Sequence, residues 1–80
     1  MATKSQHAPR YQHLPPLLRA LCEGAGLSER DLAGRLAKPQ SWVYNCESAN
    51  RRVDVTEFVA WANACGVDPR AAFARLLESC

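Results

Sequence analysis

Strand signals are missing from this chain. There is no alternating polar and apolar run and no Asn-Gly type turn, which excludes a sheet-based fold. No apolar run is long enough to span a membrane. The opening residues, MATKSQHAPRYQ, lack the apolar stretch of a secretory signal, so a cytoplasmic protein is the expectation. Acids are missing from the first quarter: none precedes Glu23, and Lys4, Arg10 and Arg19 leave that stretch positive. The four cysteines, Cys22, Cys46, Cys65 and Cys80, include no C-x-x-C pair and have no nearby His. That spacing argues against zinc, and the missing secretory signal argues against a disulfide framework. His7 and His13 have no acidic neighbour in sequence, so neither a metal site nor a catalytic role is expected for them. Also missing are a nucleophile–base pair, a Gly-rich phosphate loop and paired carboxylates in a plausible cleft, so neither an enzyme nor a cofactor is expected.

What is present is one small domain of 80 residues with a net charge of +2, too weak by itself to argue for a nucleic-acid partner. The sequence predicts an all-α fold: a flexible basic arm over residues 1–13, then five short helices over residues 14–80. Pro15 and Pro16 open the first helix, Leu14, Leu17, Leu18, Leu21 and Ala25 repeat at helical spacing, and Gly24 and Gly26 end it. A fourth helix should begin near Asp54 or Val55 and bury Val55, Phe58, Val59 and Ala62. Asp68 and Pro69 start a fifth, whose apolar side carries Phe73, Leu76 and Leu77. Cys46, Cys65 and Trp61 are read as core residues, and Trp42 as partly exposed.

Between Gly26 and Arg52 lies the most informative stretch, GLSERDLAGRLAKPQSWVYNCESANRR. Ser28 is an N-cap with Asp31 three residues on, in the manner of a capping box, and Leu32, Ala33 and Leu36 make an apolar stripe. Pro39 denies Lys38 helical dihedrals, so the second helix ends near Ala37, and the same proline opens the third. There Val43 and Cys46 face inward, whereas Gln40, Ser41, Tyr44 and Asn45 face out. Arg30, Arg35, Lys38, Arg51 and Arg52 bracket the pair, the distribution that phosphate contact needs. Two helices joined by so short a turn cross steeply and leave the outer edge of the second free to enter a DNA groove.

On these residues, from about Leu17 to Leu77, the chain resembles the Cro/C1-type (XRE-family) helix-turn-helix domain of phage repressors and bacterial regulators. The matching segments are LLRALCEGAGLS, ERDLAGRLA, KPQSWVYNCES and RRVDVTEFVAWANACGVDP, followed by a closing helix. The resemblance implies a lambda-repressor-like fold and double-stranded DNA as partner. It implies base contacts from Gln40, Ser41, Tyr44 and Asn45, and phosphate contacts from Arg30, Arg35, Lys38, Trp42, Arg51 and Arg52. Glu29 stands where the family usually has a Gln that donates to a phosphate. Cys22 stands at the family's arginine position, so the ion pair to Glu47 is expected to be absent. Ala49 replaces the usual glycine, which assigns the chain reversal to Asn50.

The leading expectation is a sequence-specific transcriptional regulator of repressor, Cro or controller type. It would bind a palindromic operator as a homodimer joined through Phe73, Leu76 and Leu77, with Val59 and Trp61 nearby, and without a small-molecule effector. A protein-interaction or antitoxin-type module on the same fold is the alternative.

Overall fold

Local chemistry at the helix starts lays out the chain. The computed structural model describes residues 10–79, in which α1 is Leu14–Gly24, α2 Glu29–Leu36, α3 Gln40–Glu47, α4 Val55–Ala64 and α5 Pro69–Ser79. No strand occurs among the described residues. The Ser28 hydroxyl accepts from the Asp31 N–H at 3.0 Å while the Asp31 carboxylate accepts from the Ser28 N–H at 3.1 Å. Asp54 and Glu57 repeat this reciprocal pair at the start of α4, at 2.8 and 3.0 Å, and at α5 Asp68 accepts from the Arg70 N–H at 2.9 Å. Each box satisfies two donors that a helix start otherwise leaves to water.

The ends of α1 to α4 share one device. An N–H one or two residues past the cap reaches back to a carbonyl in the last turn: Leu27 to Cys22, Lys38 to Ala33, Asn50 to Asn45 and Val67 to Ala62. Such a stop places one residue in the left-handed region. After α1 and α4 that residue is glycine, Gly26 at φ 72° and Gly66 at φ 73°; around α3 it is alanine, Ala37 at φ 56° and Ala49 at φ 63°. Ala49, and not Asn50 as the sequence suggested, therefore reverses the chain after α3. A Cβ in this region costs about 1–2 kcal/mol, part of which a glycine returns as unfolded-state entropy. Ala37→Gly and Ala49→Gly are each expected to stabilise the fold by about 0.5–1 kcal/mol, a gain of several degrees in thermal midpoint. A midpoint that falls in both variants would remove the strain argument.

The core is one cluster. Leu14, Leu17, Leu18 and Leu21 of α1 meet Leu32 and Ala33 of α2, Val43 and Cys46 of α3, Phe58, Trp61 and Ala62 of α4, and Ala72 of α5. Helix α2 packs on α3 and α4, while α1 spans α3 and α5. Trp61 is fully buried, and its indole N–H donates to the Leu18 carbonyl at 3.1 Å, tying α4 to α1. Cys22 is buried and its thiol donates to the Leu27 carbonyl at 3.0 Å. Cys46 and Cys65 are buried as expected, and burial pushes both thiols up to about 11.

Two expectations are corrected here. Val55 and Val59 are not buried: Val55 is 78% exposed, because α4 turns Trp61 inward beside Phe58 and Ala62, the two residues of the expected set that are buried. Tyr11–His13, assigned to the arm, form a single 3-10 turn that leads into α1. The Tyr11 hydroxyl accepts from the Val53 N–H at 2.7 Å and donates to the Arg51 carbonyl at 3.5 Å, which pins this turn to the loop before α4. The rest of the proposed arm that precedes Arg10, with Lys4 and His7, lies outside the described residues, as does Cys80.

Candidate nucleic-acid interface

Helix α3 is seated by Val43 and Cys46, which are wholly buried, and by Glu47 at its last position. Helical spacing then turns Gln40, Ser41 and Tyr44 outward. Gln40 and Ser41 are exposed, Tyr44 is 52% exposed and Asn45 half-buried. The Asn45 carbonyl is occupied by the Asn50 and Arg51 N–H groups at 2.9 and 3.1 Å, so the backbone of the last outward residue is fixed. No side chain caps the start of α3, where Pro39 is the N-cap. The result is a short rigid helix offering one amide, one hydroxyl, one phenol and a second amide along its free side.

The basic residues around it divide into two sets. Lys38, Arg52 and Arg30 are exposed. The Arg52 guanidinium lies over the Tyr11 ring at 5.8 Å, and the Lys38 ammonium over the Trp42 ring at 5.2 Å. Arg35 and Arg51 have internal partners. Arg35 donates to the Ala64 carbonyl at the end of α4, at 2.8 Å. Arg51 donates to both Glu57 carboxylate oxygens at 3.1 Å and to the Arg52 carbonyl at 2.8 Å, with its guanidinium 5.0 Å from the Trp42 ring centre. This fork holds the Glu57 carboxyl below its usual range. Because Glu57 also caps α4, Arg51 braces the whole loop between α3 and α4.

The inner end of α3 is electrostatically unusual. Glu47 is 7% exposed, and its nearest cation is Arg19, whose Nε lies 3.9 Å from Oε1. The ion pair expected to be absent is therefore supplied, loosely, from one turn earlier in α1 than the Cys22 position. Burial, then the neighbouring carboxyl of Glu29 and the charge of Glu23, push Glu47 up to about 7. The sequence showed neither Glu57 as the partner of Arg51 nor Tyr11 as a clasp. An acid three residues after Asp54 was a readable capping signal, but its second duty toward Arg51 crosses a loop and leaves no periodic trace.

A family model of the helix-turn-helix domain matches residues 16–76. Among solved structures, the chain is similar to an XRE-family like protein from Pseudomonas syringae pv. tomato str. DC3000, with 41% identity and a TM-score of 0.81. That match covers 88% of this chain and 85% of the other. The chain belongs to the XRE-type helix-turn-helix family. No curated protein sequence matches it. In this XRE-type domain α2 and α3 form the helix-turn-helix unit, and the family places the chain among DNA-binding regulators. No helix among the described residues is long and apolar enough to cross a membrane.

Proposed function

We propose that this XRE-type domain is a sequence-specific transcriptional regulator, of repressor, Cro or controller type, that reads a palindromic operator as a homodimer in the cytoplasm. The reading rests on the free side of α3, where Gln40, Ser41, Tyr44 and Asn45 stand beside exposed Lys38 and Arg52. Gln and Asn each have the donor–acceptor pair that matches an adenine edge in the major groove, and Ser pairs with several bases. Arg30, Lys38 and Arg52 are the bracketing cations whose exposed charge is offered to phosphates, whereas Arg35, though exposed, and Arg51 act through the backbone and carboxylate they already hold. Nothing in this reading requires a cofactor, an effector or a catalytic step.

The dimer follows from the apolar surface that the core leaves uncovered. Phe73 and Leu77 are about half exposed on α5, and Val55 and Val59 of α4 line one groove with Phe73. Leu76 is half-buried against the core, and Trp61 is enclosed, so neither contributes as openly as its sequence position implied. An inverted-repeat operator asks of such a two-fold pairing that it set two α3 helices about 34 Å apart, one turn of DNA.

Selection from random duplexes is expected to recover an inverted repeat. On that site Gln40→Ala or Asn45→Ala should cost about 1–3 kcal/mol, with little change on random DNA. Equal losses on both would deny base reading, and a site without two-fold symmetry would deny the dimer. The second reading, an antitoxin-type or other partner-binding module, draws on Glu29 and on the apolar groove of about 420 Å³ between Val55, Val59, Pro69 and Phe73. Binding to any duplex that weakens steeply with salt separates the two.

A further inference from the structure

Trp42 sits at the junction of the two sets of cations. Its ring has the Lys38 ammonium at 5.2 Å, the Arg51 guanidinium at 5.0 Å and the Trp61 ring at 6.1 Å, tilted by 39°. Both cations are within the distance at which an aromatic quadrupole attracts positive charge. Their situations differ. Arg51 is balanced by Glu57 and held by three hydrogen bonds, so its charge is spent within the protein. Lys38 enters no ion pair among the described residues. Its backbone is already fixed, since its N–H bonds to the Ala33 carbonyl at 3.0 Å, Ala37 before it is left-handed and Pro39 follows it. What freedom remains lies in the four-carbon stem, and an ammonium on such a stem loses much entropy when a phosphate captures it.

We propose that Trp42 is a positioning residue for DNA: the ring, braced by Arg51 and Trp61, holds the Lys38 ammonium beside the start of α3, where it takes a backbone phosphate. The inference rests on the DNA-binding reading above and adds to it a division of labour. Trp42 acts through Lys38 rather than touching phosphate as its main role, and Arg51 acts through Trp42. Lysine is the suited cation here, because a point charge tolerates the approach angle that a planar guanidinium fork restricts.

The test compares the full chain with Trp42→Phe, Trp42→Leu, Lys38→Ala and the Trp42→Leu/Lys38→Ala double variant. In free protein, proton NMR should show the Lys38 ε-methylene shifted upfield by the ring. That shift should survive Trp42→Phe and vanish in Trp42→Leu. On selected duplex, Trp42→Leu should weaken binding about two- to ten-fold and lower the salt slope by up to about one, as Lys38→Ala does. The double variant should be no worse than Lys38→Ala, and Trp42→Phe should restore most of the affinity. Additive losses, or a salt slope that Trp42→Leu leaves unmoved, would overturn the positioning role while the DNA-binding reading stands. A parent chain that binds no duplex would overturn both. If Trp42→Leu fails to fold, the Lys38→Ala and Trp42→Phe slopes decide, because a full slope in Lys38→Ala removes the phosphate contact on its own.

Discussion

Trp61→Ala is expected to cost about 3–5 kcal/mol and to leave much of the chain unfolded at room temperature. The side chain is the largest wholly buried one, and it touches both halves of the molecule. Its ring lies beside Trp42, and its N–H crosses to the Leu18 carbonyl of α1. Truncation opens a cavity at the centre of a domain with too few core residues to collapse around it. Trp61→Phe should be milder, about 1–3 kcal/mol, since it keeps most of the packing but loses the indole donor and part of the ring volume. Urea unfolding followed by far-ultraviolet circular dichroism measures both. An alanine variant within 1 kcal/mol of the parent would mean that α4 is held by something other than this side chain.

Trp61 also shows why the helices were legible while the facing of α4 was legible only in part. Helix starts are written in short-range chemistry: Ser28 with Asp31, Asp68 with Pro69, and Pro15 with Pro16 each specify a cap within a few residues. Helix α4, VTEFVAWANA, is apolar on most sides, so its period is compatible with more than one inward stripe. Phe58, Trp61, Ala62 and Cys65 are the set that becomes buried, and in that rotation the indole N–H finds the Leu18 carbonyl inside the core. Val55 and Val59 are then left outside.

Helix α3 was legible for the same reason. Val43 and Cys46 anchor it, Pro39 starts it, and four polar or amphipathic residues fall on the other side. The brace around it was not legible. Arg51 with Glu57, Tyr11 with Val53, and Arg19 with Glu47 are pairs made by tertiary packing across 6, 42 and 28 positions. Of the five cations assigned by position to phosphate, Arg30, Lys38 and Arg52 keep exposed charge, whereas Arg35 bonds the Ala64 carbonyl and Arg51 is drawn to Glu57. Left-handed alanines at 37 and 49 were equally hidden, since alanine gives no sign of the conformation that glycine advertises.

Stability is expected to fall as pH rises from about 5 to 8, and Glu47 is the reason. Its carboxyl is enclosed between Arg19 and Glu23 of α1 and Glu29 of α2, at the C-terminal end of α3 where the helix dipole also disfavours negative charge. Burial and the neighbouring Glu29 carboxyl raise it from 4.5 in the unfolded chain to about 7 in the fold. The folded state therefore holds the proton more tightly than the unfolded state. That stabilisation is fully present below pH 4.5 and is lost as pH rises through about 7, a change of roughly 2–3 kcal/mol. The carboxylates of Asp31, Asp54, Glu57 and Asp68 work in the opposite sense. Their caps and arginine partners lower their pKa values, so their contribution is present above the ordinary carboxylate range and is lost in acid. Maximum stability should fall near pH 5–6. Glu47→Gln retains an acceptor for Arg19 without a titrating charge. It should match the parent at pH 5 and exceed it by about 2 kcal/mol at pH 8. Denaturant midpoints measured at both pH values provide the check. A parent profile flat from pH 5.5 to 8, or a slope that Glu47→Gln leaves intact, would place the titrating group elsewhere.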